Sequence, residues 1–67
     1  MQFEFHTPYL IMKKDKNNEM RYYEIEVINK SQKIKNLYKL FYRDINFFEW
    51  TDISQITFIE PVKKSFV

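Results

Sequence analysis

Two rhythms of apolar and polar residues run along this chain, one of period two and one close to the helical period. From Met20 to Ile28, the residues Tyr23, Ile25 and Val27 alternate with Tyr22, Glu24 and Glu26, the mark of a strand with one face buried. Upstream, Phe3 to Met12 is rich in β-branched and aromatic residues and is interrupted by Pro8. That suits an edge strand or a bulge, because proline has no N–H to give to a ladder. Between the two runs lies a polar stretch from Lys13 to Glu19, with Asn17 and Asn18 placed where a turn needs φ > 0. Together they read as a β-hairpin.

The rhythm changes after Ser31. Ile34, Leu37, Tyr38, Phe41 and Ile45 share one face of a helical wheel, with Lys35, Asn36, Lys39 and Arg43 opposite. This spacing predicts an amphipathic helix over about 32–44, with Ser31 as its N-cap, Asn46 as its terminator, and Leu37 and Phe41 turned toward the sheet. The many aromatics and the lack of alanine weigh against it, since they lower intrinsic helix propensity. Phe47, Phe48 and Trp50 suggest an extended stretch, and residues 51–54 a single turn capped by Thr51 or Asp52. A last strand over about 55–60 is stopped by Pro61, leaving 62–67 as a frayed tail. The sum is one α+β domain: a small antiparallel sheet made of the hairpin and the C-terminal strand, with one helix packed across a face. The alternative is an all-β, SH3-like small barrel, in which residues 37–50 form a hairpin and the 51–54 turn precedes the closing strand.

Size decides how these elements can be held together. A chain of 67 residues makes one domain with a small core, and no cysteine is present to reinforce it with a disulfide or a thiolate–metal site. Seven Phe, five Tyr and one Trp supply aromatic mass instead. Either they pack a dense core or some belong to an interface. Glycine and alanine are absent, while Phe, Tyr, Met, Ile, Asn and Lys make up more than half of the chain. Those six residues have A/T-rich codons, which points to an AT-rich bacterium, or to a phage or mobile element living in one. Part of the lysine content is then codon bias, and the net charge is only +2. The N-terminus lacks the basic start and apolar stretch of a signal peptide, and no apolar run approaches a bilayer's thickness. The cytoplasm is the expected location, with no membrane partner.

Little in the chain carries chemistry. Without glycine, a P-loop or a dinucleotide-binding turn is excluded, because both need backbone amides brought close to phosphate. With one histidine and no thiol, a Cys/His zinc site is excluded as well. No cofactor or metal is expected. His6 could be a general base, but no serine stands in a motif beside it, and a half-exposed strand residue near Pro8 is the simpler reading. Glu24 and Glu26 share a strand face at about 7 Å, a spacing that glycosidases use, yet their alternation with the apolar set turns them to solvent. Tyr22, Tyr38 and Tyr42 could stack bases, but cross-strand packing explains them better.

Two surfaces remain. On the predicted helix Lys35, Lys39 and Arg43 form a row that could neutralise phosphates with Lys13, Lys14 and Lys16 adding reach, or serve only as a solvated back face. Phe47, Phe48 and Trp50 are the other. In an extended segment Phe48 and Trp50 share one face, taken as the core side, which leaves Phe47 outward beside Tyr42. The last strand carries no charge from Ile56 to Ile59, so its edge could accept a partner strand or a second copy. The expectation is a non-catalytic protein-binding module, an accessory or inhibitory protein acting on a protein partner or as a homodimer. Its binding residues are Phe47, Tyr42, Trp50, Ile56 and Phe58. A small nucleic-acid-binding domain using Lys35, Lys39 and Arg43 is the alternative.

Overall fold

The computed structural model describes residues 3–62. Five strands form one antiparallel sheet: β1 (Pro8–Lys14), β2 (Met20–Lys30), β3 (Leu37–Tyr42), β4 (Phe47–Asp52) and β5 (Phe58–Pro61), in the order β4-β3-β2-β1-β5. The expected hairpin is present, with Tyr9 opposite Ile25 and Ile11 opposite Tyr23. Its turn is organised by Asp15, whose carboxylate accepts the backbone N–H of Asn17 at 2.8 Å and of Glu19 at 3.1 Å and pairs with the Arg21 guanidinium. The segment before β1 folds back, with His6 N–H donating to the Val27 carbonyl at 2.9 Å.

A chain without glycine must still enter the left-handed region wherever it turns sharply. Here φ is positive at Asn18, Asn36 and Asn46, one in each of the first three strand connections, and at His6. Asparagine tolerates this conformation because its short amide can bond to nearby backbone.

The helix expected over 32–44 does not form, and the α+β reading falls with it. Ser31 does accept backbone N–H groups, from Lys33 at 3.2 Å and Ile34 at 2.9 Å, but this closes a loop and starts no helix. Asn36 at φ 66° then redirects the chain into β3. Tyr38, Leu40 and Tyr42 point into the core, while Leu37, Lys39 and Phe41 lie on the outer face. Because both faces of β3 carry apolar residues, the period-two signal is hidden and a helical stripe appears in its place. The residues themselves suit a strand, where aromatic side chains lose less freedom than they do against a preceding helical turn. Leu37 and Phe41, expected in the core, are half-buried on the outside.

The all-β, SH3-like alternative is the one that describes the chain. β3 and β4 form a hairpin over 37–52, and a 3-10 turn at Ile53–Gln55 precedes the closing strand. Of the two expected caps, Thr51 and Asp52, it is Asp52 whose carboxylate accepts the Ser54 N–H, at 2.9 Å. β5 pairs with β1, which makes β1 an interior strand and corrects its expected edge position. Pro8 is tolerated there as the first strand residue. Its carbonyl accepts the Val62 N–H at 3.0 Å, and residues 63–67 of the expected tail lie outside the described residues.

Tyr9, Ile11, Ile25, Val27, Tyr38, Leu40 and Tyr42 form the core on the inner face of the curved sheet. Phe3 closes it from the N-terminal side, edge-on to Tyr9 and to Tyr38 at 5.3 Å each. Ile53, Ile56 and Ile59 close it from the C-terminal side. Ile11, Ile25, Val27 and Leu40 are completely buried, each contributing about 1.5–3 kcal/mol of apolar transfer energy. Among the described residues no helix is long and apolar enough to cross a membrane.

Candidate functional site

The sheet order leaves β4 and β5 with one unpaired side each. They differ in how that side is protected. β5 has four residues and ends in Glu60 and Pro61, and a short strand ending in a charge and a proline is a poor template for further pairing. β4 has six residues, Phe47-Phe48-Glu49-Trp50-Thr51-Asp52, with no proline, lysine or arginine. The last strand is an edge as expected, but of the two open edges β4 is the longer and the one without proline.

Register fixes which way each β4 side chain points. Tyr42 pairs with Phe47, Leu40 with Glu49 and Tyr38 with Thr51, so those three β4 residues share the core face. Phe48 lies opposite Phe41 and Trp50 opposite Lys39, on the outer face. This reverses the expected facing: Phe48 and Trp50 are outside, and Phe47 is at the rim of the core side. All three rings are nonetheless about half exposed, at 48% for Phe47, 53% for Phe48 and 46% for Trp50. Phe48 rests on Phe41 at 4.7 Å between ring centroids, with the Lys39 ammonium 5.5 Å from its own centroid.

The inner side of β4 is anchored by a polar chain. The Tyr42 and Thr51 hydroxyls are 2.9 Å apart, and the Thr51 hydroxyl donates to the Glu49 carboxylate at 3.4 Å. A carboxylate only accepts, so the Thr51 proton goes to Glu49 and the Tyr42 proton goes to Thr51. Burial pushes the Tyr42 hydroxyl up to about 12, the Thr51 bond opposes the shift, and the charge of Glu49 adds to it. Beside this anchor an open cleft of about 590 Å³ lies between the β1–β2 and β3–β4 turns. Tyr23, Tyr42 and Phe47 wall it, and the Lys13 ammonium sits 5.7 Å from both tyrosine centroids.

The residues singled out in the sequence are only partly brought together. Tyr42 is buried and touches Phe47 at 6.5 Å between ring centroids. Trp50 is on the opposite face of the same strand. Ile56 packs against the core just before β5, and Phe58 lies outside on β5 against Tyr22, at 6.2 Å. The basic row does not exist as a row: Lys35 is in the loop before β3, Lys39 is on its outer face, and Arg43 is in the turn after it. Arg43 lies 3.6 Å from Glu24 and 3.7 Å from Glu26, so its charge is shared with the carboxylate pair. His6 is exposed, and Tyr22 is separated from the buried Tyr38 and Tyr42 by the sheet. No group of three or more His, Asp and Glu side chains among the described residues is placed to hold a metal. Sequence reasoning missed Phe48 as a surface residue and Thr51 as the buried partner of Tyr42. The pairing of residues 37–42 with 47–52 was the missing signal. No family model, curated protein or solved structure matches the chain.

Proposed function

We propose that this chain is a small, non-catalytic protein-binding module whose contact surface is centred on β4. One observation carries the reading: β4 is an unpaired sheet edge bearing three half-exposed aromatic side chains, with no proline, lysine or arginine and with Glu49 and Asp52 as its only charges. On the outer face Phe48 and Trp50 continue into the half-buried Phe41 and Leu37, an aromatic and aliphatic patch crossed by Lys39, whose ammonium lies over Phe48. Tryptophan, here Trp50, is also among the residues most enriched at binding hot spots. The non-catalytic part of the reading is supported by the exposed His6 and by the partly solvated Glu24–Glu26 pair, which shares the Arg43 charge.

Paired affinity captures from the source cell test this. Phe48→Asp and Trp50→Asp each remove a partner that the wild type retains, while staying folded and melting no more than about 8 °C below it, because neither side chain belongs to the core and Phe48 gives up only its outer contact with Phe41. A partner retained by both variants would overturn the reading. So would a sub-micromolar complex with DNA or RNA in a gel shift at about 150 mM salt that is lost in Lys13→Glu and Lys16→Glu.

A further inference from the structure

The open edge of β4 also specifies what can pair with it, an inference that rests on the protein-binding reading. Alternate residues of an edge strand turn their N–H and C=O groups away from the sheet, so a second strand can continue the ladder. The side chains then decide which strand fits. On the outer face the newcomer meets Phe48 and Trp50, and on the inner face it meets Glu49, flanked by Phe47 and the buried Thr51. Glu49 is exposed, and its one hydrogen bond is from the Thr51 hydroxyl. Among the described residues no lysine or arginine lies within ion-pair distance of it.

A second copy of this chain is a poor match. Antiparallel self-pairing about a two-fold axis normal to the sheet keeps each face on its own side, so the axis must pass through a residue. With the axis at Glu49, Phe48 pairs with Trp50 of the other copy on both sides, the best overlap of rings. That register also sets the two Glu49 carboxylates directly opposite each other, where cross-strand side chains are about 5 Å apart and like charges are destabilising. With the axis at Trp50, Phe48 faces Asp52. With the axis at Phe48, Trp50 faces Asn46, which stands outside the strand at φ 51°. Each register has a fault, and the most favourable one is opposed by Glu49.

We infer that β4 takes an extended segment of a different protein, one with a basic residue opposite Glu49 and an apolar residue on each side of it. In antiparallel pairing the residue opposite Glu49 points to the inner face, and its two neighbours point to the outer face against Phe48 and Trp50. An apolar–basic–apolar triplet therefore matches all three β4 positions at once. Lysine or arginine at that position gives Glu49 a direct ion-pair partner, which Lys13, Lys16 and Arg21 in the same cleft are not.

Trp50 is the only tryptophan, so its fluorescence reports binding at this edge directly. The probes are capped synthetic peptides of about ten residues with a central Val-Lys-Val, a central Val-Glu-Val, or a central Val-Lys-Val carrying backbone N-methyl groups on alternate residues. Val-Lys-Val binds about fivefold or more tightly than Val-Glu-Val, Glu49→Lys inverts the order, and N-methylation on the pairing edge abolishes binding. Glu49→Gln keeps an acceptor for Thr51 and removes the preference, which covers the case in which Glu49→Lys fails to fold. Equal binding of the two charges, insensitivity to N-methylation, or no binding of any peptide overturns the inference. Self-association through β4 in sedimentation at the same protein concentrations overturns it too, in favour of a second copy. The protein-binding reading is decided separately by the Phe48→Asp and Trp50→Asp captures, so either can fail alone.

Discussion

Tyr42 and Thr51 are joined by a 2.9 Å hydroxyl–hydroxyl bond inside the core, across the β3–β4 hairpin whose outer edge is open. Tyr42 is 3% and Thr51 3% exposed, so neither oxygen has ready access to water. The bond ties the exposed strand to the interior at one buried point. Removing one partner leaves the other unsatisfied, which costs about 1–3 kcal/mol, whereas a satisfied pair contributes only about 0.5–1.5 kcal/mol. Thr51→Val should therefore be the more costly single change. Tyr42→Phe leaves Thr51 still able to donate to Glu49 and should cost about 1 kcal/mol. In urea denaturation the double variant should cost less than the two singles together. Strict additivity would mean that the two hydroxyls do not interact.

The same tyrosine links the stability of the fold to alkaline pH. Its hydroxyl ionises at about 12 in the native state, above the ordinary value of 10.0, chiefly because burial disfavours the phenolate. The native state therefore holds this proton through a range in which the unfolded chain has lost it. Its contribution is complete below pH 10 and is lost as pH rises through about 12. Melting temperature measured between these limits should fall with pH, and Tyr42→Phe should flatten that part of the curve. A slope unchanged in the variant would assign the loss to other groups.

How the core is faced separates what the sequence shows from what it conceals. The hairpin of β1 and β2 is legible because Tyr23, Ile25 and Val27 are apolar while Glu24 and Glu26 are not. The Asp52-capped turn is legible because a short carboxylate before Ile53 has one obvious backbone donor to accept. β3 is illegible by the same logic, since Leu37 and Phe41 are as apolar as Tyr38, Leu40 and Tyr42. Only pairing with β4 gives Phe41 its outer neighbour Phe48, and this also turns Phe48 and Trp50 outward. The aromatic surface is thus found in the right segment with its faces exchanged.

This facing has a direct test in two leucines three positions apart. Leu40 is 1% exposed at the centre of the core, and its replacement by alanine should cost about 2–5 kcal/mol, a large share of what so small a domain has. Leu37, half-buried on the outer face, should cost about 1 kcal/mol or less when changed in the same way. A helix over this segment would place Leu37 against the sheet and reverse the order. Thermal melts of Leu37→Ala and Leu40→Ala compare the two directly, and equal losses would contradict the strand.

The turns give the last prediction, because here the chain works without glycine. Asn18, Asn36 and Asn46 occupy the left-handed region at φ of 64°, 66° and 51°. For a residue with a Cβ that region costs roughly 1–2 kcal/mol, and asparagine recovers part of it by local hydrogen bonding. Alanine recovers none, so Asn36→Ala or Asn46→Ala should each destabilise the domain by about 1 kcal/mol. Glycine removes the steric cost in the folded state but adds freedom to the unfolded one, so the corresponding glycine variants should lie near the wild type. Asn46 matters most for binding, since it directs the chain out of the Arg43–Ile45 turn into β4. Asn46→Val, whose branched side chain resists positive φ, should therefore lower stability more than Asn46→Ala and disturb the β4 edge. Hydrogen exchange should show this as faster exchange confined first to residues 47–52 and their β3 partners. Protection unchanged there, in a variant that is destabilised overall, would mean that the turn does not govern the register of β4.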